Sequence, residues 1–278
     1  MRLAETDQIG EVFAANRARA EVCLTMAVRR GATVRSRIAE EGSLRVRFPG
    51  ACAGAKEAVL VNTAGGIAGG DRLRIAVTLE DGARLVVTTA AAEKAYRTDG
   101  PQAAVAVTAT LGADAELTWL PQETILFDRA RLARRVEVAM APTARLLFAE
   151  TVIFGRAAMG EAVRYGHFSD RWRVRRNGRL VFADHFRLDG AIADRLGEAA
   201  VAAGRVALGT VLMIPGNDDT VAAVRAVADG FRGEAGISAW NGLALARLAA
   251  ADGAALRHDL VLLLSALGHA PLPRLWLS

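Results

Sequence analysis

Three short segments concentrate the residues that could do chemistry. The first, Asn62 to Asp71, carries Gly65, Gly66, Gly69 and Gly70 ahead of a single carboxylate, Asp71. Glycines at this density can turn backbone amides toward a bound anion. A Walker loop, however, closes with Lys and Ser or Thr at the mouth of a helix, whereas here Asp71 leads into the alternating run Arg72 to Leu79. Three readings stay open: a nucleotide site, a bulge or tight crossing where only glycine fits, and a functional passage that uses Asp71. The second segment, Thr88 to Arg97, offers Lys94 as an imine-forming or base lysine, but no neighbour that would lower its pKa is visible. A surface turn or partner contact fits it better, with Tyr96, one of two tyrosines, at its end. In the third, Leu120 to Phe127, Pro121 cannot donate to a ladder and belongs at a strand edge or crossing. That places Gln122 and Glu123 on a rim, in a polar cavity or in a solvated turn.

The remaining chemistry is sparse. His167, His185, His258 and His269 show neither HxH nor HxxxH spacing, so a preformed metal cage is not expected. No GxSxG, HExxH or Ser/His/Asp arrangement occurs, and the chain does not read as an enzyme. Cys23 and Cys52 lack CxxC spacing, which predicts free thiols in a reducing cytoplasm. Arg2, Glu5, Asp7 and Glu11 precede any apolar run, so no signal-peptide core is expected, and Leu260 to Leu267 falls far short of the ~20 residues that span a bilayer.

The elements that must position these segments are mainly strands. Leu44, Val46 and Phe48, then Leu73, Ile75, Val77 and Leu79, then Val136, Val138 and Met140, alternate with charged or small residues. Val105–Thr110, Leu146–Phe148, Trp172–Val174, Leu180–Phe182 and Leu243–Leu248 fit the same pattern, and Asn177-Gly178 signals a hairpin. The first two-thirds therefore reads as short antiparallel strands. In the final third, Asp218-Asp219 is expected to cap a helix with Val221, Val224 and Val227 inward, stopped by Gly230. Asp252 is expected to cap another with Leu256, Leu260, Leu263, Leu264 and Leu267 on one face, ended by Gly268 and Pro271. Without a linker or repeat, residues 1–278 are expected to form a single domain.

An apolar share of 52% excludes a disordered chain. The excess of 35 Lys and Arg over 30 Asp and Glu, +5, is thin for a nucleic-acid binder. Aromatics at 5%, with no basic run interleaved, argue the same way against a nucleic-acid-binding β module. The mean hydropathy of +0.22 suits a chain that exposes apolar patches until a partner covers them.

Taken in order, the three segments resemble the urease accessory protein family UreD, also called UreH. Its pattern is an Asn-x-x-Gly-Gly-x-x-Gly-Gly-Asp run, a Thr-Thr segment ending in Lys-x-Tyr-Arg, then Leu-Pro-Gln with a phenylalanine soon after. Here these are Asn62 to Asp71, Thr88 and Thr89 through Lys94, Tyr96 and Arg97, and Leu120, Pro121 and Gln122 with Phe127. Gly155-Arg156 with Gly160-Glu161, and Leu272 to Trp276, extend the likeness to nearly the whole chain. The sequence departs from the pattern at Ala90, Glu93 and Ala95, where the family commonly has glutamine, a small or hydroxyl residue, and valine.

The resemblance implies a mainly β fold, a two-layer, β-helix-like stack of short strands with a few α-helices in the C-terminal third. It implies no reaction of the chain's own, but an accessory role in a dimeric hetero-complex with UreF and the GTPase UreG, docked on apo-urease. Nickel would pass through the chain to the urease site, where carbon dioxide or bicarbonate carbamylates the bridging lysine; GTP would be bound by UreG, and neither nucleic acid nor membrane is implied as a partner. On this reading Asp71, Glu150, Glu161 and Asp184, with Glu93, line a passage for transient Ni2+ and no cofactor is held tightly, since conduction needs oxygen contacts weak enough to release. Arginines such as Arg45, Arg47 and Arg72 would orient the partners electrostatically. The alternatives are a nucleotide-binding enzyme using residues 65–71 and a basic nucleic-acid-binding β module.

Overall fold

The computed structural model describes residues 17–52 and 54–277; Arg2, Glu5, Asp7 and Glu11 lie outside the described residues. Strands β1 (Arg19–Arg29), β2 (Ala32–Glu41), β3 (Leu44–Arg47), β4 (Ala51–Cys52) and β5 (Ala55–Asn62) lead into β6 (Arg72–Leu79), β7 (Arg84–Thr89), β8 (Glu93–Ala95), β9 (Ala103–Leu111) and β10 (Glu116–Leu120). Then come β11 (Thr124–Leu126), β12 (Arg131–Met140), β13 (Arg145–Phe154), β14 (Tyr165–Arg176) and β15 (Arg179–Ala191). The C-terminal third holds α1 (Ile192–Gly197), β16 (Ala207–Ile214), α2 (Asp218–Arg225), β17 (Glu234–Trp240), β18 (Leu243–Ala250) and α3 (Gly253–Ala266).

These strands form two sheets, one ordered β15-β14-β12-β9-β6-β1-β2 and the other β17-β18-β16-β13-β10-β7-β5-β3, with β4, β8 and β11 at its margin. From β5 to β14 the chain crosses from sheet to sheet at each turn, so each strand lies parallel to the one a coil earlier: β5–β7–β10–β13 in one layer and β6–β9–β12–β14 in the other. This is the expected β-helix-like stack, but the antiparallel pairing read from the alternation is wrong for its body. Period two reports which side chains face the interior, not strand direction, and in the β6–β9–β12–β14 layer one face of each strand meets solvent even though the pairing is parallel. Antiparallel pairing is confined to the flanks, among them the β14–β15 hairpin, where Asn177 (φ 51°) and Gly178 (φ 75°) make the turn. The corners repeat: Ala83, Ala115 and Ala144 are each fully buried, and Glu116 N donates to Ala83 O while Arg145 N donates to Ala115 O.

The interior between the sheets is apolar, from Val22, Leu24 and Met26 through Val107 and Val136 to Phe168 and Trp172. A second core joins the outer face of the β13–β16–β18 layer to α3 through Leu256, Leu260, Leu263 and Leu264. Asp252 caps α3, accepting from Ala255 N at 2.8 Å, as expected. Helix α2 is capped one residue earlier than expected, by Asn217, whose Oδ1 accepts from Thr220 N at 3.0 Å. Asp218 and Asp219 instead occupy its first turn, where they complement the helix dipole, and the α-helix ends at Arg225, short of Gly230. Cys23 and Cys52 are both free.

Candidate functional site

Parallel stacking brings the three segments together. Because β5, β7 and β10 are adjacent and parallel, with Leu60 opposite Thr89 and Thr88 opposite Leu120, the turns that follow them emerge side by side at one end of the layer. They enclose a cavity of about 240 Å3, with Asn62 and Gly65 from the first turn, Glu93 and Lys94 from the second, and Pro121 and Gln122 from the third. Pro121 sits just past the end of β10, as its missing N–H requires.

The glycine run is a crossing. Ile67 N donates to Lys94 O (2.7 Å), Tyr96 N to Ile67 O (2.8 Å), and the Tyr96 hydroxyl to Gly65 O (2.8 Å). A Cβ on Gly66 would lie 2.4 Å from the Tyr96 ring, and one on Gly69 would lie 2.1 Å from Thr98 Oγ1. The glycines thus admit the chain's own β8 segment, and a strand rather than a helix follows. Asp71 is buried beneath them, its two oxygens accepting from Ala18 N (2.8 Å) and Ala68 N (2.7 Å). Glu93 faces the cavity, its carboxylate bonded by Asn62 Nδ2 at 3.1 and 3.2 Å. Burial pushes its carboxyl up to about 7 against those bonds.

The cavity floor is charged. Arg134 on β12 donates from Nη1 to Glu150 Oε2 on β13 and from Nη2 to Asp170 Oδ2 on β14 (2.5 Å). Trp119 Nε1 donates to Glu150 Oε1 (2.9 Å) and Trp172 Nε1 to Asp170 Oδ1 (2.9 Å). Burial, with Asp170 adding to it, pushes the Glu150 carboxyl up to about 7 despite Arg134. Beyond this node lies a second cavity, about 500 Å3, bounded by Asp170, Asp184, His185, Glu234 and Arg247. Arg134 and Glu150 line both cavities and form the wall they share.

The expected site residues therefore divide. Glu93, Glu150 and Asp184 face the cavities; Asp184 also pairs with Arg247 at 2.6 Å. Asp71 and Glu161 line neither: Glu161 pairs with Arg156 (2.7 Å), which stacks on Phe127. Arg97 pairs with Asp99 at the surface (3.7 Å), and the Thr88 hydroxyl is buried without a partner among the described residues. Gln122 is clamped, its Nε2 donating to Leu275 O (2.8 Å) and its Oε1 accepting from Arg257, which also pairs with Glu123 at 2.6 Å. Trp276 Nε1 closes this clamp on Leu120 O (2.9 Å).

Sequence reasoning missed Arg134, Asp170, Trp119 and Trp172. The signal existed: Arg134 is in phase with Leu132 and Val136, and Asp170 with Phe168 and Trp172, so each charge falls on the inward side of its strand. No group of three or more His, Cys, Asp or Glu able to hold a metal occurs among the described residues. His167 pairs with Asp189 (3.0 Å), His185 with Ser169 (2.9 Å) and His258 with Asp259 (3.1 Å).

Residues 18–277 match the model of a family described as UreD urease accessory protein. The chain belongs to the UreD family. It is 50% identical over 278 residues to a urease accessory protein UreD of Bradyrhizobium sp. strain BTAi1, covering all of both chains. It is 52% identical over 267 residues to the UreD of Rhodopseudomonas palustris strain BisB18, covering 96% of each. A UreD of Bradyrhizobium diazoefficiens is 50% identical over 275 residues, 99% of each chain. As a UreD, the chain is a urease accessory protein and not an enzyme. No helix among the described residues of this UreD is long and apolar enough to cross a membrane.

Proposed function

We propose that this chain is the subunit of a urease-maturation assembly through which Ni2+ travels to apo-urease. In this assembly UreF and the GTPase UreG are its partners, UreG supplies GTP hydrolysis, and the setting is cytoplasmic. The observation that carries the reading is the position of Glu150 in the wall common to both cavities, with Glu93 on one side and Asp170 and Asp184 on the other. A charged node between two sheets stabilises less than apolar side chains of the same volume, so its presence in an otherwise apolar interior calls for a functional reason. Single carboxylates spaced along two cavities offer Ni2+ oxygen contacts that attract it and let it go, whereas a cage of three or four ligands would retain it. Asp71 and Glu161 serve the fold on this reading, not the route.

The test is reconstitution of the chain with UreF, UreG and apo-urease, supplied with Ni2+, GTP and bicarbonate, comparing native protein with Glu150→Gln and Asp184→Asn. Assembly should persist on size exclusion while urease nickel content falls severalfold. Normal loading by both variants in intact assemblies would overturn the proposal.

A further inference from the structure

The outer face of the β15–β14–β12–β9–β6 layer carries an unusual charge arrangement. Register places Arg74, Ala106, Arg135, Arg171 and His185 in one row across five neighbouring strands, and Arg72, Ala104, Ala133, Ser169 and Arg187 in the next. Strands lie ~4.8 Å apart, so Arg135 and Arg171 stand side by side and Arg74 faces them across the small Ala106 at about 10 Å. Like charges directly opposed in a sheet are destabilising. Elsewhere this molecule avoids that: on the other layer Glu116 sits between Arg84 (2.9 Å) and Arg145 (3.7 Å), and Glu40 on β2 serves both Arg45 (3.9 Å) and Arg47 (3.4 Å) of β3 in the other layer.

On this face the side chains of Arg72, Arg74, Arg171 and Arg173 have no ion-pair or hydrogen-bond partner among the described residues, and that of Arg135 has only Glu137 at 3.6 Å. Glu21, beside Arg74 on β1, makes no ion pair with it. Arg72, Arg74, Arg135 and Arg171 rim a groove of about 380 Å3 floored by Ala104, Ala106 and Ala133.

We infer that this groove docks an acidic segment of a protein partner, whose carboxylates enter between the arginines. A nucleic acid fits less well, because no Phe, Tyr or Trp lines the groove to stack on bases. A single phosphate fits less well too: the guanidiniums are spread over three strands, and the sheet amides are spent on the ladder, so nothing converges on one point. Arg45 and Arg47, already paired with Glu40, have less to offer such a partner. This inference does not rest on the nickel passage, since the groove opens on the solvent side of the layer.

The probe is a fluorescein-labelled poly-L-glutamate, titrated into the full chain at low and physiological salt. Arg74→Glu/Arg171→Glu is compared with Arg225→Glu on α2, which packs on β17 of the other layer. The native chain and Arg225→Glu should bind alike and more weakly as salt rises, and the double reversal should lose at least tenfold. Arg74→Gln/Arg171→Gln, which adds no charge, should lose about threefold and secures the result if the reversal misfolds. Unchanged binding by both double variants overturns the inference. So does equal affinity for a single-stranded DNA of matched charge, or full competition by millimolar inorganic phosphate. Nickel loading by the same variants, once assembled, separates a docking defect from a conduction defect.

Discussion

Arg134 on β12 and Glu150 on β13 meet across the space between the two sheets, and the other half of the same guanidinium fork holds Asp170. One cation thus ties three strands and both layers at a depth where all three side chains are nearly out of water. Arg134→Met would leave two buried carboxylates without their cation and should cost about 3–5 kcal/mol in urea denaturation. Arg134→Lys, which keeps the charge but not the fork, should fall between. Replacing Arg134, Glu150 and Asp170 together by apolar residues should recover most of the loss, because the desolvation cost goes with the charges.

Glu93 makes stability depend on pH. Burial raises its carboxyl from the ordinary 4.5 to about 7, so between those values the folded chain holds a proton that the unfolded chain releases. Stability therefore falls as pH rises through that window and levels off above it. Glu93→Gln in metal-free protein should match the native chain near pH 4.5 and exceed it by on the order of 2–3 kcal/mol above pH 7. Parallel pH curves for the two proteins would refute this.

Gly65 and Gly66 should respond differently to alanine. At Gly65 (φ 74°) nothing lies within 4 Å of the added carbon, so only backbone strain of about 1–2 kcal/mol is expected. At Gly66 (φ 157°) the carbon would strike the Tyr96 ring and Lys94 O, adding about 1–3 kcal/mol of overpacking. Thermal melts of the two variants measure the difference, and equal losses would contradict the crossing.

Asp71→Ala separates fold from route. Removing its carboxylate strands two backbone N–H groups, at about 1–3 kcal/mol each, so the melting temperature should drop. Nickel delivered per folded assembly should stay at the native level, opposite to Glu150→Gln, which keeps an acceptor for Trp119 Nε1 and should chiefly lower delivery.

What was legible in the sequence follows from what periodicity encodes. The alternation of Leu73, Ile75, Val77 and Leu79 located β6 and its inward face, and Asp252 with its leucines located α3. Strand direction was not legible, because parallel and antiparallel neighbours impose the same alternation. Glu93, Glu150 and Asp184 were expected on a passage only once the family likeness was in view, while Arg134 and Asp170 went unnoticed although Leu132-Ala133-Arg134 and Phe168-Ser169-Asp170 set a charge in the apolar phase. The role of Asp71 hides in contacts with Ala18, 53 residues away along the chain, which spacing cannot reveal.

The antiparallel flanks of the parallel stack bear on how the molecule keeps to itself. β2 and β15 bound one layer and β3 and β17 the other, each running against its neighbour. A bare parallel coil at either end would present a row of free amides and carbonyls in the register that another copy could extend, and growth could continue without limit. Reversed strands end that repeat, and β2 adds Arg35, Arg37, Glu40 and Glu41 to its outermost row. The solenoid is thereby a finite object, its parallel repeat closed off at both ends of each layer.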